Sequence, residues 1–87
     1  MSTADLIRER LTALDPESIT LEDESAQHKG HAGAASGGGH FRLTLVSPKF
    51  STLSTLARHR LVYEAMGELM QREIHALSIT ALSPEEL

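Results

Sequence analysis

Five histidines and no cysteine set the chemistry open to this 87-residue chain. His28, His31, His40 and His59 fall within residues 25–63, and His75 stands apart near the C-terminal end. Imidazole is a ligand for zinc, copper, nickel and iron. His28 and His31 are three residues apart in a glycine-rich run, so both can turn toward one metal. Without a thiol the chain has no Cys nucleophile, no Cys-type zinc site and no internal disulfide. Ser25 near His28 has the residue types of a nucleophile and its base. No orienting acid or oxyanion donor accompanies them, and so small a domain seldom encloses a substrate, so the chain does not read as an enzyme.

The charge pattern singles out the same region. The net charge is −4, yet residues 25–63 contain no Asp or Glu and carry Lys29, Arg42, Lys49, Arg58 and Arg60. The acidic residues lie on either side, from Asp5 to Glu24 and from Glu64 to Glu86. The bland explanation is chance clustering on a solvated surface. The functional one is an anion- or metal-facing surface on an otherwise acidic protein. Arg42, Lys49, Arg58 and Arg60 are the residues that would contact phosphates if nucleic acid were the ligand. The net negative charge and the few aromatics, Phe41, Phe50 and Tyr63, weigh against that. Gly30-His31-Ala32-Gly33 has the GxxG form that clamps nucleic-acid backbone in KH domains, but here it falls between two strands rather than two helices.

The elements that must position these residues are legible from periodicity. Ser2 or Thr3 caps a first helix with Asp5 in its first turn and Ile7, Leu11 and Leu14 on one face; Asp15-Pro16 ends it. Ser18 to Asp23 alternates as a half-buried strand with Ile19 and Leu21 inward. His40 to Ser47 is a second strand with Phe41, Leu43 and Leu45 on one side. Residues 23–39 between them hold Gly30, Gly33 and Gly37-Gly38-Gly39, too long for a tight hairpin and too glycine-rich for a helix, so we expect a flexible loop. After Ser47-Pro48 a long helix starts near Leu53, with Val62, Ala65, Met66 and Leu69 as its stripe. Gly67 predicts a bend or restart, with a short helix reaching Arg72. His75 to Leu82 alternates as a third strand, and Ser83-Pro84-Glu85-Glu86 caps a terminal turn.

The order α-β-β-α-α-β predicts an α+β two-layer fold, a three-stranded sheet with helices on one face, as a single domain over residues 1–87. Leu, Ile, Val and Phe make up about a quarter of the chain, enough for a folded core. The N-terminus lacks the basic flank and apolar run of a signal peptide, and no run spans a membrane, so a cytoplasmic protein is expected.

Several runs, met in order, resemble the BolA family. They are Asp23-Glu24-Ser25-Ala26-Gln27-His28-Lys29-Gly30-His31, His40-Phe41-Arg42, Val46-Ser47-Pro48-Lys49-Phe50, Arg58-His59-Arg60-Leu61-Val62-Tyr63 and Ile74-His75-Ala76-Leu77-Ser78-Ile79. The resemblance covers nearly the whole chain. One departure is Thr52, where the family usually has glycine two residues after the matching phenylalanine. The resemblance implies a class II KH-like fold and a partnership with a monothiol glutaredoxin, with which a bridging [2Fe–2S] cluster is shared. By the same resemblance His75 is a cluster ligand, and a loop residue, His28 or failing it His31, is the second. Ser25-x-x-His28 fits the family spacing best. The partner's cysteine and a glutathione thiol would fill the remaining positions. Imidazole can replace thiolate on one iron of such a cluster, as Rieske centres show. His40 reads as a strand-start residue and the next candidate ligand, and His59 as a histidine at the core edge. Alone, the chain is expected to be a monomer or weak dimer. The alternative that the resemblance carries is a DNA-binding transcriptional regulator acting in stress response and cell morphology.

Overall fold

The computed structural model describes residues 2–25 and 39–87. Helix α1 (Thr3–Leu11) opens with a capping box: the Ser2 hydroxyl accepts the Asp5 N–H, and the Asp5 carboxylate accepts the Ser2 N–H. Those two bonds satisfy donors that a helix start otherwise leaves open. The helical path tightens into a 3-10 turn (Thr12–Leu14) and stops where Asp15 takes a left-handed conformation, φ 48°. The expected end at Asp15-Pro16 therefore holds for the helical path, although the α-helix itself stops at Leu11.

Strand β1 (Ser18–Asp23) pairs antiparallel with β2 (Gly39–Val46), Ile19 opposite Leu45 and Leu21 opposite Leu43. A short 3-10 turn (Pro48–Phe50) follows β2, with Ser47 as its cap. Ser47 is fully buried: its hydroxyl donates to the Leu14 carbonyl and accepts the Lys49 N–H. Helices α2 (Thr55–Met66) and α3 (Leu69–Arg72) then carry the chain back to β3 (Ile74–Leu82), which runs parallel to β2. Gly67, at φ 56°, makes the break between α2 and α3 that its position predicts. A last 3-10 turn (Pro84–Glu86) closes the described chain.

The sheet order is β1-β2-β3, so β2 is central and both neighbours are edges. Strand alternation sends Phe41, Leu43 and Leu45 to one face, where they pack with Ile7, Leu11 and Leu14 from the first helical segment and Val62 and Met66 from α2. Phe50 and Leu69 complete this core. The opposite face carries polar and small side chains, with Glu22, Arg42 and Ser78 abreast and Thr20, Thr44 and Thr80 abreast. The architecture is the expected two-layer α+β fold with helices on one face. Thr52 sits at φ 68°, in the left-handed region where a β-branched side chain is strained. The replacement of glycine there has thus kept a glycine-like backbone. Among the described residues no helix is long and apolar enough to cross a membrane.

Candidate metal centre

The site forms where β3 begins. Gly39 is opposite Ile74, but His40 is opposite Ala76, so the register slips by one residue and His75 is the extra one. A bulge of this kind bends the strand and re-aims the side chain it releases. His75 is exposed at this slip. The neighbouring Gly39 is required by packing: a Cβ there would lie 2.5 Å from Cε2 of the buried Phe41 ring. Gly39 also donates its N–H to the Glu73 carbonyl at 3.1 Å, which closes the strand pair next to the slip.

The bulge sets His75 against His40. Their ring centroids are 4.9 Å apart and their planes meet at 41°. His40 is half-buried and its backbone is held on both sides. The His40 N–H donates to the Ser25 hydroxyl at 3.1 Å, and the His40 carbonyl accepts the Glu24 N–H at 2.7 Å. Ser25 is fixed in turn, because its N–H donates to Asp23 Oδ1 at 2.9 Å. Hydrogen bonds from the Ser25 side chain and backbone hold the Asp23 carboxyl below its ordinary pKa, so it is ionised at neutral pH. The segment leaving β1 is therefore pinned at Ser25, directly beside the histidine pair.

The other residues singled out by the sequence lie as follows. His28 and His31 fall outside the described residues. His59 is half-buried on α2. Arg42, on the sheet face away from the helices, is exposed and pairs with Glu24 at 3.4 Å. Lys49 reaches the Ala13 carbonyl at 3.3 Å, and Arg60 is exposed on α2. Arg58 is buried. Its Nε donates to the Leu53 carbonyl and its Nη1 to the Ala81 carbonyl, both at 3.0 Å, and Nη1 also meets Glu86 Oε1. Glu86 is held down to about pKa 2, chiefly by the Ser83 backbone and then by Arg58. The four basic residues thus do not share one surface: one is on the open sheet face, one at a turn, one on a helix and one inside.

Among the described residues no group of three or more His, Asp or Glu side chains is placed to hold a metal ion. Two imidazoles suit iron, but they cannot fill the coordination of a cluster alone. The pairing of His40 with His75 is the feature that sequence reasoning undervalued. The signal for it was present: aligning Phe41, Leu43 and Leu45 in parallel with Leu77, Ile79 and Ala81 puts His40 beside the start of β3.

The profile of the BolA-like protein family matches residues 11–86. Over 74 residues, 85% of this chain and 52% of the relative, the sequence is 45% identical to BolA-like protein 1 of Mus musculus. Over 87 aligned residues it is 41% identical to SufE-like protein 1, chloroplastic/mitochondrial, of Arabidopsis thaliana, covering 93% of this chain and 24% of that protein. The chain spans a quarter to about half the length of these curated relatives. The solved BolA domain of SufE1 from Arabidopsis thaliana superposes with a TM-score of 0.86 at 41% identity, covering 100% of this chain and 98% of that one.

Proposed function

Because the chain belongs to the BolA-like protein family, we propose that it is a non-catalytic adaptor that pairs with a monothiol glutaredoxin and shares a bridging [2Fe–2S] cluster through histidine ligands. The observation that carries this reading is His75, exposed on a strand bulge beside a second imidazole in a chain without thiols. A bulge on a paired strand holds a ligand more firmly than a loop does, so His75 is presented before the partner arrives. The second ligand comes from the loop. His28 follows the pinned Ser25 by three residues, a chain length of about 10 Å at most, and His31 by six. Two imidazoles cannot fill the coordination of a cluster, so the site is completed in the complex rather than in the free chain. The partner's cysteine and a glutathione thiol supply the other donors, and the cluster is the cargo that the pair carries in iron–sulfur metabolism.

The test is to mix the chain with a monothiol glutaredoxin, glutathione, iron and sulfide. A 1:1 heterodimer should form with visible absorption unlike that of the glutaredoxin homodimer. An unchanged spectrum without heterodimer overturns the reading. A competing role as a DNA-binding regulator gains no shared surface from Arg42, Lys49, Arg58 and Arg60. It would nevertheless displace the adaptor reading if the chain bound duplex DNA tightly and sequence-selectively near physiological salt and lost that binding on changing Arg42 and Arg60.

A further inference from the structure

We propose that the outer edge of β3 pairs with the same edge of a second copy of this chain, antiparallel about a two-fold axis at Ser78, so that two sheets join into one. The proposal does not rest on cluster sharing.

The backbone supplies the first support. The Leu82 carbonyl accepts the Ser47 N–H and so faces β2, whereas the Ala81 carbonyl faces outward and accepts Arg58 Nη1. Strand alternation then turns the N–H and carbonyl groups of Leu77 and Ile79 outward with those of Ala81. Among the described residues nothing bonds to Leu77 or Ile79 on that side. Their side chains tell the same story. Leu77 and Ile79 point to the face on which Leu43 and Leu45 are fully buried, yet both stay half-buried.

Charge selects the occupant. The chain carries a net charge of −4, so two copies attract only where they meet without charge. Strand β3 has no Asp, Glu, Lys, Arg or Pro, the residues that keep sheet edges from pairing. The opposite edge, β1, ends in Glu22 and Asp23, and Asp23 is ionised. Only one of the two edges therefore admits a second copy, and the assembly closes at a dimer. The two-fold register is self-complementary. It sets Leu77 against the second copy's Ile79 on the helix-covered side, and Ser78 against Ser78 and Ala76 against Thr80 on the open face. The register slip at His75 and the Arg58 guanidinium on Ala81 guard the two ends, which confines the ladder to the middle of the strand. So short an interface buries less than about 1,000 Å², which corresponds to a weak dimer with a dissociation constant of about 0.1–1 mM.

The experiment uses the full chain alone. Sedimentation from about 20 µM to about 1 mM should show a reversible monomer–dimer equilibrium. Over the same range, amide exchange should slow selectively at Leu77 and Ile79, whose N–H groups gain partners. Ser78→Lys places two like charges at the axis and should weaken dimerisation at least about tenfold. Thr20→Lys, with the same change in net charge on the same face of β1, should stay within about threefold of the parent. Loss of dimerisation in Ser78→Lys is not a general charge effect, because the added lysine lowers the net repulsion between copies. A chain monomeric at the highest concentration overturns the proposal; that is the outcome expected if the edge receives a strand from a different protein. A dimer whose exchange protection lies on β1, or on α2 around the exposed Leu56 and Tyr63, also overturns it. The exchange pattern of the unmodified chain decides the matter even if Ser78→Lys disturbs the strand. Cluster sharing is read separately, from the spectrum with glutaredoxin.

Discussion

The two ends of β3 treat their charged and titratable neighbours in opposite ways. At the C-terminal end Arg58 is drawn inside, where the Leu53 and Ala81 carbonyls and Glu86 take up its donors, and the Ser83 cap fixes Glu86 in turn. At the N-terminal end the strand slips register, and His75 is left exposed beside His40. One end spends its polar groups on holding the fold together. The other leaves one imidazole, His75, on the surface. A basic residue next to a strand is therefore no guide to a phosphate surface until its partners are known, and a histidine pair at a bulge is a stronger pointer to function than a denser basic run.

Arg58→Ala should have the largest effect on stability. It leaves two half-buried carbonyls and Glu86 without their donor, and urea denaturation should show a loss of about 2–4 kcal/mol. At temperatures where this variant stays folded, its cluster spectrum with glutaredoxin should match that of the parent. A parallel loss of ligation would show that the two ends of β3 are coupled. At the other end Gly39→Ala should cost about 1–3 kcal/mol, because the new methyl group collides with the Phe41 ring. It should also shift the NMR signals of both His40 and His75. His75→Ala should change stability by no more than about 0.5 kcal/mol, as expected for an exposed position, yet destabilise the shared cluster more than His59→Ala does.

Acid sharpens the same contrast. Glu86 has its carboxyl pKa lowered from 4.5 to about 2 in the folded chain. A group depressed in this way stabilises the fold above its unfolded pKa, and that contribution fades as pH falls from about 4.5 toward 2. Thermal melts across this range should show the fall in the parent and a shallower one in Glu86→Gln. A gain rather than a loss is expected at the turn before α2. Thr52→Gly removes left-handed strain at φ 68° but adds backbone freedom to the unfolded chain, for a net gain of about 0.5–1 kcal/mol. A loss of stability there would mean that the Thr52 side chain contributes packing that offsets its strain.

Much of this architecture is written in local patterns. Ser2 with Asp5, the alternation over Ser18–Asp23, Gly67 and Ser83 with Glu86 each act within a few residues, and each formed the element expected of it. The parallel register of β2 on β3 is different, because it brings together residues about 35 positions apart and is fixed by packing of the whole core. The bulge at His75 and its contact with His40 depend on that register, so no local pattern announced them. Arg58 was misleading for the same reason: beside Arg60 it looks like half of a basic patch, and only the return of the chain at Ser83–Glu86 encloses it. His28 and His31 remain readings of the sequence, since they lie outside the described residues.

Under the proposed function an imidazole of this chain is bonded to the shared iron–sulfur cluster. Labelling the chain alone with ¹⁵N-histidine, assembling the complex with unlabelled glutaredoxin and glutathione, reducing it, and recording pulsed EPR would detect that bond. We predict ¹⁵N hyperfine coupling of iron-bound imidazole, with the His75 component missing in His75→Ala. A reduced cluster with no ¹⁵N coupling, or one whose coupling is unchanged in His75→Ala, would rule out ligation by His75.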